Sequence, residues 1–210
     1  EQTFLTGVVA GLGTLSDMDK ANSENVVGVI LGQDQPTLRM GVVGFEAGVR
    51  YVNPDCEVLE AVVGDFNDPA KAKEIALSMY NRGADFVQHI AGASGMGVFT
   101  AAKADRYAFG VGGNQNYIGD YIVATALRRE HHRLHEIKAL VGHLRPGVHI
   151  SGIAEGSVGF DTDSNVVLPD DIAAAVEDIK AKITAGELVP CETAEELDAW
   201  VAANQYQPAE

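Results

Sequence analysis

The chain has 210 residues, 46% of them hydrophobic, and sets 15 lysines and arginines against 30 acidic side chains, for a formal charge of −15. A chain of that length buries a substantial core, about 70% of its unfolded surface, in one large domain or two small ones. The negative balance repels phosphate backbones, so nucleic acid is not an expected partner and strongly anionic ligands are disfavoured; no apolar run reaches the roughly 20 residues that a membrane-spanning helix needs.

The opening, EQTFLTGVVAGLGTL, reads as an amphipathic helix from Thr3 to Leu15, with Phe4, Leu5, Val8, Val9, Leu12 and Leu15 near one face and no signal peptide or lipidation cysteine within it. A polar loop leads to an apolar strand, Val26 to Leu31, and Gln33 to Pro36 form a turn. Thr37 to Tyr51 is helical by pattern and stops before Pro54, which cannot continue a helix. Cys56 to Val63 is the next strand. Pro69 at a first helical position behind Asp68, a good N-cap, then opens a helix from Ala70 to Asn81 that Gly83 ends. Strand and helix alternate at roughly 25–30 residues per unit, which predicts an α/β fold with a doubly wound parallel sheet.

The stretch from Gly83 to Gln115 carries the chemistry. Asp85 to Ala91 has the length and apolarity of a buried parallel strand, Gly92, Gly95 and Gly97 follow it, and Val98 to Lys103 reads as helix. Tyr107 to Val111 is a second strand closed by Gly112 and Gly113. Two parallel strands ending in glycine turns on one edge offer backbone N–H groups where open α/β sheets bind ligands. The first turn is no P-loop, since no Gly-Lys-Ser/Thr follows, and it misses the G-x-S-x-G nucleophile elbow because the second glycine of Gly92-Ala93-Ser94-Gly95 comes one residue early. A ligand-free tight turn with Ser94 as an N-cap is the simpler alternative.

Further on, Tyr121 to Leu127 is strand-like, Arg128 to His143 is a charged helix, and Val148 to Phe160 is a hairpin or a strand with a glycine bend. Pro169 to Ala185 is a helix with Asp170 and Asp171 favourably placed in its first turn, Thr193 to Ala203 a short one around Trp200, and 204–210 a frayed tail. His131 and His135, four apart, share a helical face as zinc ligands do in H-E-x-x-H. The residue after the first of them is His132, however, so the general base is missing, and the neighbouring arginines mark a solvated face. Cys56 and Cys191 read as two lone thiols.

GFEAGVRYVNP (44–54), FNDPAKAKEIALSMYNRGADFV (66–87), AGASGMGVFTAAK (91–103) and GVGGNQ (110–115) resemble the basic membrane protein family, extracytoplasmic substrate-binding lipoproteins of ABC transporters typified by a purine-nucleoside receptor. The resemblance runs from Glu1 to about Pro190 and implies a type I periplasmic-binding-protein-like plan. On that plan 1–112 and 147–210 form the C-terminal-type lobe and 113–146 a return into the N-terminal-type lobe, with the family's opening segment not included. It implies a solute-binding component of an ABC importer, lipid-anchored outside the cytoplasm in its full-length form. That component takes a small uncharged polar ligand, a nucleoside by family default, and delivers it to a permease. No enzyme activity, catalytic residue, cofactor or metal is implied. With one lobe short of a full cleft, self-association by exchange of residues 116–146 is a further expectation.

The ligand-binding positions implied by the family are Gln88, His89, Gly92, Ser94, Gly95, Gly112, Asn114 and Arg128. Gln88 stands where purine-nucleoside binders carry a stacking aromatic, Gly112 where they carry a ribose-binding aspartate, Asn114 in place of a second acid, and Arg128 in place of a lysine. Gln88 and His89 are strand neighbours and point to opposite faces, so at most one is expected to face a cleft. The bland alternatives are that they are satisfied interior groups, that Asn114 and Gln115 stabilise a turn, and that Arg128 pairs with a carboxylate. An alternative function, a free-standing α/β domain with metal-dependent (His131/His135) or hydrolytic (Ser94) activity, stays beside the receptor reading.

Overall fold

The computed structural model describes residues 1–103, 105–128, 152–161 and 164–207. Within them the chain runs α1 (Gln2–Gly13), β1 (Val26–Leu31), α2 (Pro36–Val52), β2 (Glu57–Val62), α3 (Pro69–Asn81), β3 (Ala84–Ile90), α4 (Gly95–Ala102), β4 (Tyr107–Gly112), β5 (Ile122–Arg128), β6 (Val158–Asp161), α5 (Asp170–Ala185) and α6 (Leu197–Ala203). The six strands make one sheet in the order β2-β1-β3-β4-β5-β6. β1 to β5 are parallel and β6 runs antiparallel to β5. The expected doubly wound sheet forms, and the stretch expected as a hairpin or bent strand supplies its antiparallel edge.

β1 and β3 are apolar along most of their length because helices cover both faces. One layer, α1, α2, α5 and α6, packs on Phe4, Val8, Phe45, Phe86, Phe109 and Ile179. The other, α3 and α4, packs on Ile30, Val87, Phe99 and Ile122. The exposed edge strand β2 carries Glu57 and Glu60 outward, in ion pairs with Arg82 and Arg39, and charges of this kind discourage edge-to-edge pairing.

α1 departs from the amphipathic reading. It is buried from Thr3 to Gly11, and a helix apolar all round belongs inside the fold. Its close crossing with α2 rests on Gly7 and Gly11 of one helix and Gly44 and Gly48 of the other. A Cβ on Gly7 would stand 2.1 Å from the Phe45 carbonyl oxygen, and one on Gly48 2.0 Å from that of Phe4. The same device closes α4 onto α3, where a Cβ on Gly97 would meet the Pro69 carbonyl oxygen at 2.0 Å. α4 therefore begins at Gly95 rather than at Val98: two glycines that look like turn residues are helix residues at a packing contact.

The segment expected to return to another lobe, 113–146, divides. Residues 113–128 stay with this sheet, because β5 pairs in parallel with β4 from Ile122 onward, and 129–146 lie outside the described residues. The tail is docked rather than frayed as far as Tyr206, whose N–H donates to the Tyr51 carbonyl oxygen at 2.9 Å and whose ring lies 5.9 Å from that of Tyr51. Cys56 and Cys191 are buried free thiols.

Candidate functional site

β3 and β4 are neighbours and parallel, so the turns that close them share one edge of the sheet. β1 and β3 are adjacent while their connection passes through β2, which makes the end of that pair a topological switch point, where open α/β sheets form a crevice. Gly92 takes φ +57° and Gly112 φ +88°, conformations that glycine adopts freely and other residues rarely do. Gly92, Ala93, Gly113 and Asn114 are exposed. A Cβ added to Gly112 or Gly113 would meet nothing within 4 Å, so this second turn borders open space.

Behind the turns the side chains are locked inward. Gln88 is fully buried on the α1 side; its Oε1 accepts from the Thr6 hydroxyl at 2.8 Å, and its Nε2 donates to the His89 carbonyl oxygen at 2.7 Å and to that of Gly110 at 3.4 Å. His89 is buried on the other side, edge-on to Phe99 with ring centroids 5.0 Å apart, and its Nε2 lies 3.2 Å from Gln115 Oε1. Burial lowers its pKa to about 4, since the charged imidazolium finds no water there. Ser94 is buried too: its hydroxyl donates to the Asp65 carbonyl oxygen and accepts from the Asp68 N–H, both at 2.8 Å. It joins the β2–α3 loop to the β3–α4 turn and makes no side-chain cap to α4. Ser94→Ala removes the hydroxyl that joins these two backbone groups of a partly exposed loop, and we expect a loss of about 1 kcal/mol, read as a shift in urea midpoint at constant slope.

Gly95 supports the imidazole, for a Cβ there would lie 2.2 Å from His89 Nδ1. Asn114 braces its own turn: Oδ1 accepts from the Asn116 N–H at 2.9 Å and Nδ2 donates to Asp161 Oδ2 at 2.6 Å. Arg128 ends β5 one residue beyond the pairing of Leu127 with Gly112, at the same edge. The structure thus gathers the eight expected positions at the ends of β3, β4 and β5, with Gly92, Gly112 and Asn114 toward solvent and Gln88, His89, Ser94 and Gly95 beneath. His131 and His135 lie outside the described residues. Among the described residues no cluster of His, Cys, Asp or Glu could hold a metal ion.

Four further residues shape the edge. The sequence does not single out Thr6, Thr125 or Phe66, whereas Gln115, which closes the GVGGNQ run, reads as either a turn-stabilising or a ligand residue. Thr125 Oγ1 accepts from the Gln115 N–H at 3.1 Å and donates to Asn116 Oδ1 at 2.7 Å. Phe66 fills the switch point, its ring lying 2.4 Å from where a Cβ on Gly32 would be and 3.4 Å from one on Gly92. No spacing rule announces such partners, because each is a long-range contact.

This geometry agrees with the likenesses to known proteins. Basic membrane protein A1 of Borrelia garinii subsp. bavariensis is 27% identical over 197 residues, covering 90% of this chain and 56% of that protein. The ABC transporter nucleoside-binding protein BmpA of Lactococcus lactis subsp. cremoris is 35% identical over 130 residues, 58% of this chain and 35% of that one. The chain spans little more than half the length of the basic membrane proteins it matches along most of its own. A solute-binding protein of an ABC transporter system from Aeropyrum pernix K1 has the same fold, with a TM-score of 0.79 at 24% identity over 97% of this chain and 69% of that one. Residues 1–192 match the family of PnrA-like ABC transporter substrate-binding proteins, and the chain belongs to that family.

Proposed function

We propose that this chain forms the solute-holding edge of an ABC importer's receptor. It binds a small uncharged polar ligand, with purine nucleosides the first class to test, and performs no chemistry on it. The observation that carries the reading is the pair of exposed glycine turns at the ends of adjacent parallel strands, beside a topological switch point. Backbone N–H groups around Gly92, Gly112 and Asn114 supply neutral donors to such a solute. Gln88, His89, Ser94 and Gly95 hold those turns in place, and Arg128 ends β5 at the same edge. Hydrogen-bond donors without a surplus of cations suit a polar uncharged molecule better than a phosphate, in line with the charge of −15. The nucleoside class is further supported by the likeness to the nucleoside-binding protein of Lactococcus lactis. Delivery to a permease, and residence outside the cytoplasm on a lipid anchor, follow from the same reading.

The test is thermal unfolding with inosine, guanosine and adenosine, each from micromolar to millimolar, followed by calorimetric titration of any that act. A ligand that binds the folded chain stabilises it by about 2.7 kcal/mol at a hundred times its Kd, which for a chain of this size raises Tm by about 5–10 °C. A flat Tm with all three nucleosides and no titration heat would remove nucleosides from the reading.

A further inference from the structure

We propose that His89 is a positioning residue for this edge: as the neutral Nε2–H tautomer it clamps Gln115, and through Gln115 the Gly112–Asn114 turn, to the end of β3. The inference rests on the edge being a binding site. The tautomer follows from the hydrogen bonds. Gln115 Oε1 accepts from the Val111 N–H at 2.8 Å, a group that can only donate, which identifies that atom as the oxygen. The imidazole Nε2 at 3.2 Å from the same oxygen must then carry the proton. Nδ1 is buried without a hydrogen-bond partner and faces Gly95, so a proton placed there would have no acceptor.

One amide oxygen therefore fastens three pieces of chain: the end of β3 through His89, the end of β4 through Val111, and the connection that follows through Gln115 itself. The Gln115 N–H, held by Thr125 Oγ1, ties the same point to β5. Gly95 is part of the device, since only a residue without Cβ leaves room for the ring. Of the elements packed on the imidazole, β1 contributes Ile30 as its register partner, α4 contributes Gly95 and Phe99, and the β4–β5 connection contributes Gln115. Among the described residues burial and the Gln115 bond are the influences on its titration, and no charged side chain acts on it. The carboxylates of the neighbouring loop face other groups, Asp65 accepting from the Asn67 N–H and Asp68 from that of Lys71. Protonating the ring sets a charge against Gly95 with nothing to receive it. The Nε2–H that holds Gln115 is kept on the protonated ring, so the clamp depends on the tautomer and not on the charge.

The experiment compares wild type with His89→Phe, which keeps the ring and loses the donor, and His89→Gln, whose Nε2 restores it. Without ligand, nitrogen-detected NMR of the wild-type imidazole, assigned by its loss in His89→Gln, should show Nε2 protonated and Nδ1 bare. Amide exchange at Val111 should speed up about tenfold in His89→Phe beyond any change at Val29 in the centre of the sheet, and return toward wild type in His89→Gln. Gly95→Ala, which drives a methyl against Nδ1, should reproduce the His89→Phe pattern.

With inosine as the probe, the Kd should rise about tenfold in His89→Phe and recover in His89→Gln. A proton on Nδ1, or a Val111 rate that is unchanged or that rises only in step with Val29, overturns the proposal. If wild type binds no inosine, the nucleoside reading fails by itself, and the clamp is decided by the NMR and exchange results alone.

Discussion

Gly48→Ala should lower the stability of this chain by about 3 kcal/mol and its Tm by about 10 °C, because a methyl group at that position lands 2.0 Å from the Phe4 carbonyl oxygen. The obstacle is backbone, so no rotamer change relieves it and the two helices must part. Parting them strips contacts from α1, which is buried from Thr3 to Gly11 between α2 and the sheet. Gly7→Ala is the reciprocal insertion, 2.1 Å from the Phe45 carbonyl oxygen, and should have a similar effect. The two sites lie at one crossing, so the double variant should fall short of the sum of the singles. Gly113→Ala is the control: its Cβ meets nothing within 4 Å, and its Tm should stay within about 2 °C of wild type. A Gly48→Ala protein as stable as the control would mean that the helices are not packed through their glycines.

Asp85→Asn should stabilise the chain at pH 7 by about 2 kcal/mol and uncover a pH dependence that the wild type hides. Asp85 is fully buried at the start of β3, and its Oδ2 accepts from the Thr14 hydroxyl at 2.8 Å and the Asn22 N–H at 3.1 Å. Its Oδ1 is buried without a partner, and burial raises the carboxyl pKa from 3.8 to about 6. The folded state thus holds this proton more tightly than the unfolded state. Its contribution is fully present below pH 3.8 and is lost as pH rises through about 6, a difference of about 3 kcal/mol. His89 has the opposite sign: the unfolded chain takes up its proton near pH 6.5 and the folded one near 4, so stability is lost as pH falls through that window. The two slopes oppose each other between about pH 4 and pH 6 and nearly cancel. In Asp85→Asn the His89 slope remains, and stability should fall by about 3 kcal/mol from pH 7 to pH 4. In His89→Gln the Asp85 slope remains, and stability should rise as pH falls over the same range. Denaturant titrations at four or five pH values decide this; parallel profiles for all three proteins would show that neither group titrates as its burial requires.

Most of the fold was legible because a parallel sheet writes itself as short apolar runs between turn residues. Val26–Leu31 forms β1 residue for residue, and Asp68 with Pro69 opens α3, the Asp68 carboxylate accepting from the Lys71 N–H at 2.9 Å. What stayed illegible is contact between residues distant in sequence. Gly7 and Gly11 face Gly44 and Gly48 only once two helices cross, and a glycine in a helical pattern reads equally well as a weakness. Gln88 and His89 were correctly divided between two faces of the sheet. Their inward bonds to Thr6 and Gln115 depend on partners 82 and 26 residues away. The change of lobe expected at residue 113 followed a family plan rather than a local signal, and the pairing of β5 with β4 places 113–128 with the present sheet.

The sole tryptophan of the sequence, Trp200, meets Phe4 edge-on with ring centroids 5.8 Å apart, lies 5.8 Å from the Tyr51 ring, and donates its indole N–H to the Val189 carbonyl oxygen at 2.8 Å. None of these partners belongs to the glycine turns. Its fluorescence is therefore a private gauge of whether α1, α2 and α6 remain assembled. The glycine turns carry no indole, so this signal reports on the helices and leaves occupancy of the turns to be read by titration heat.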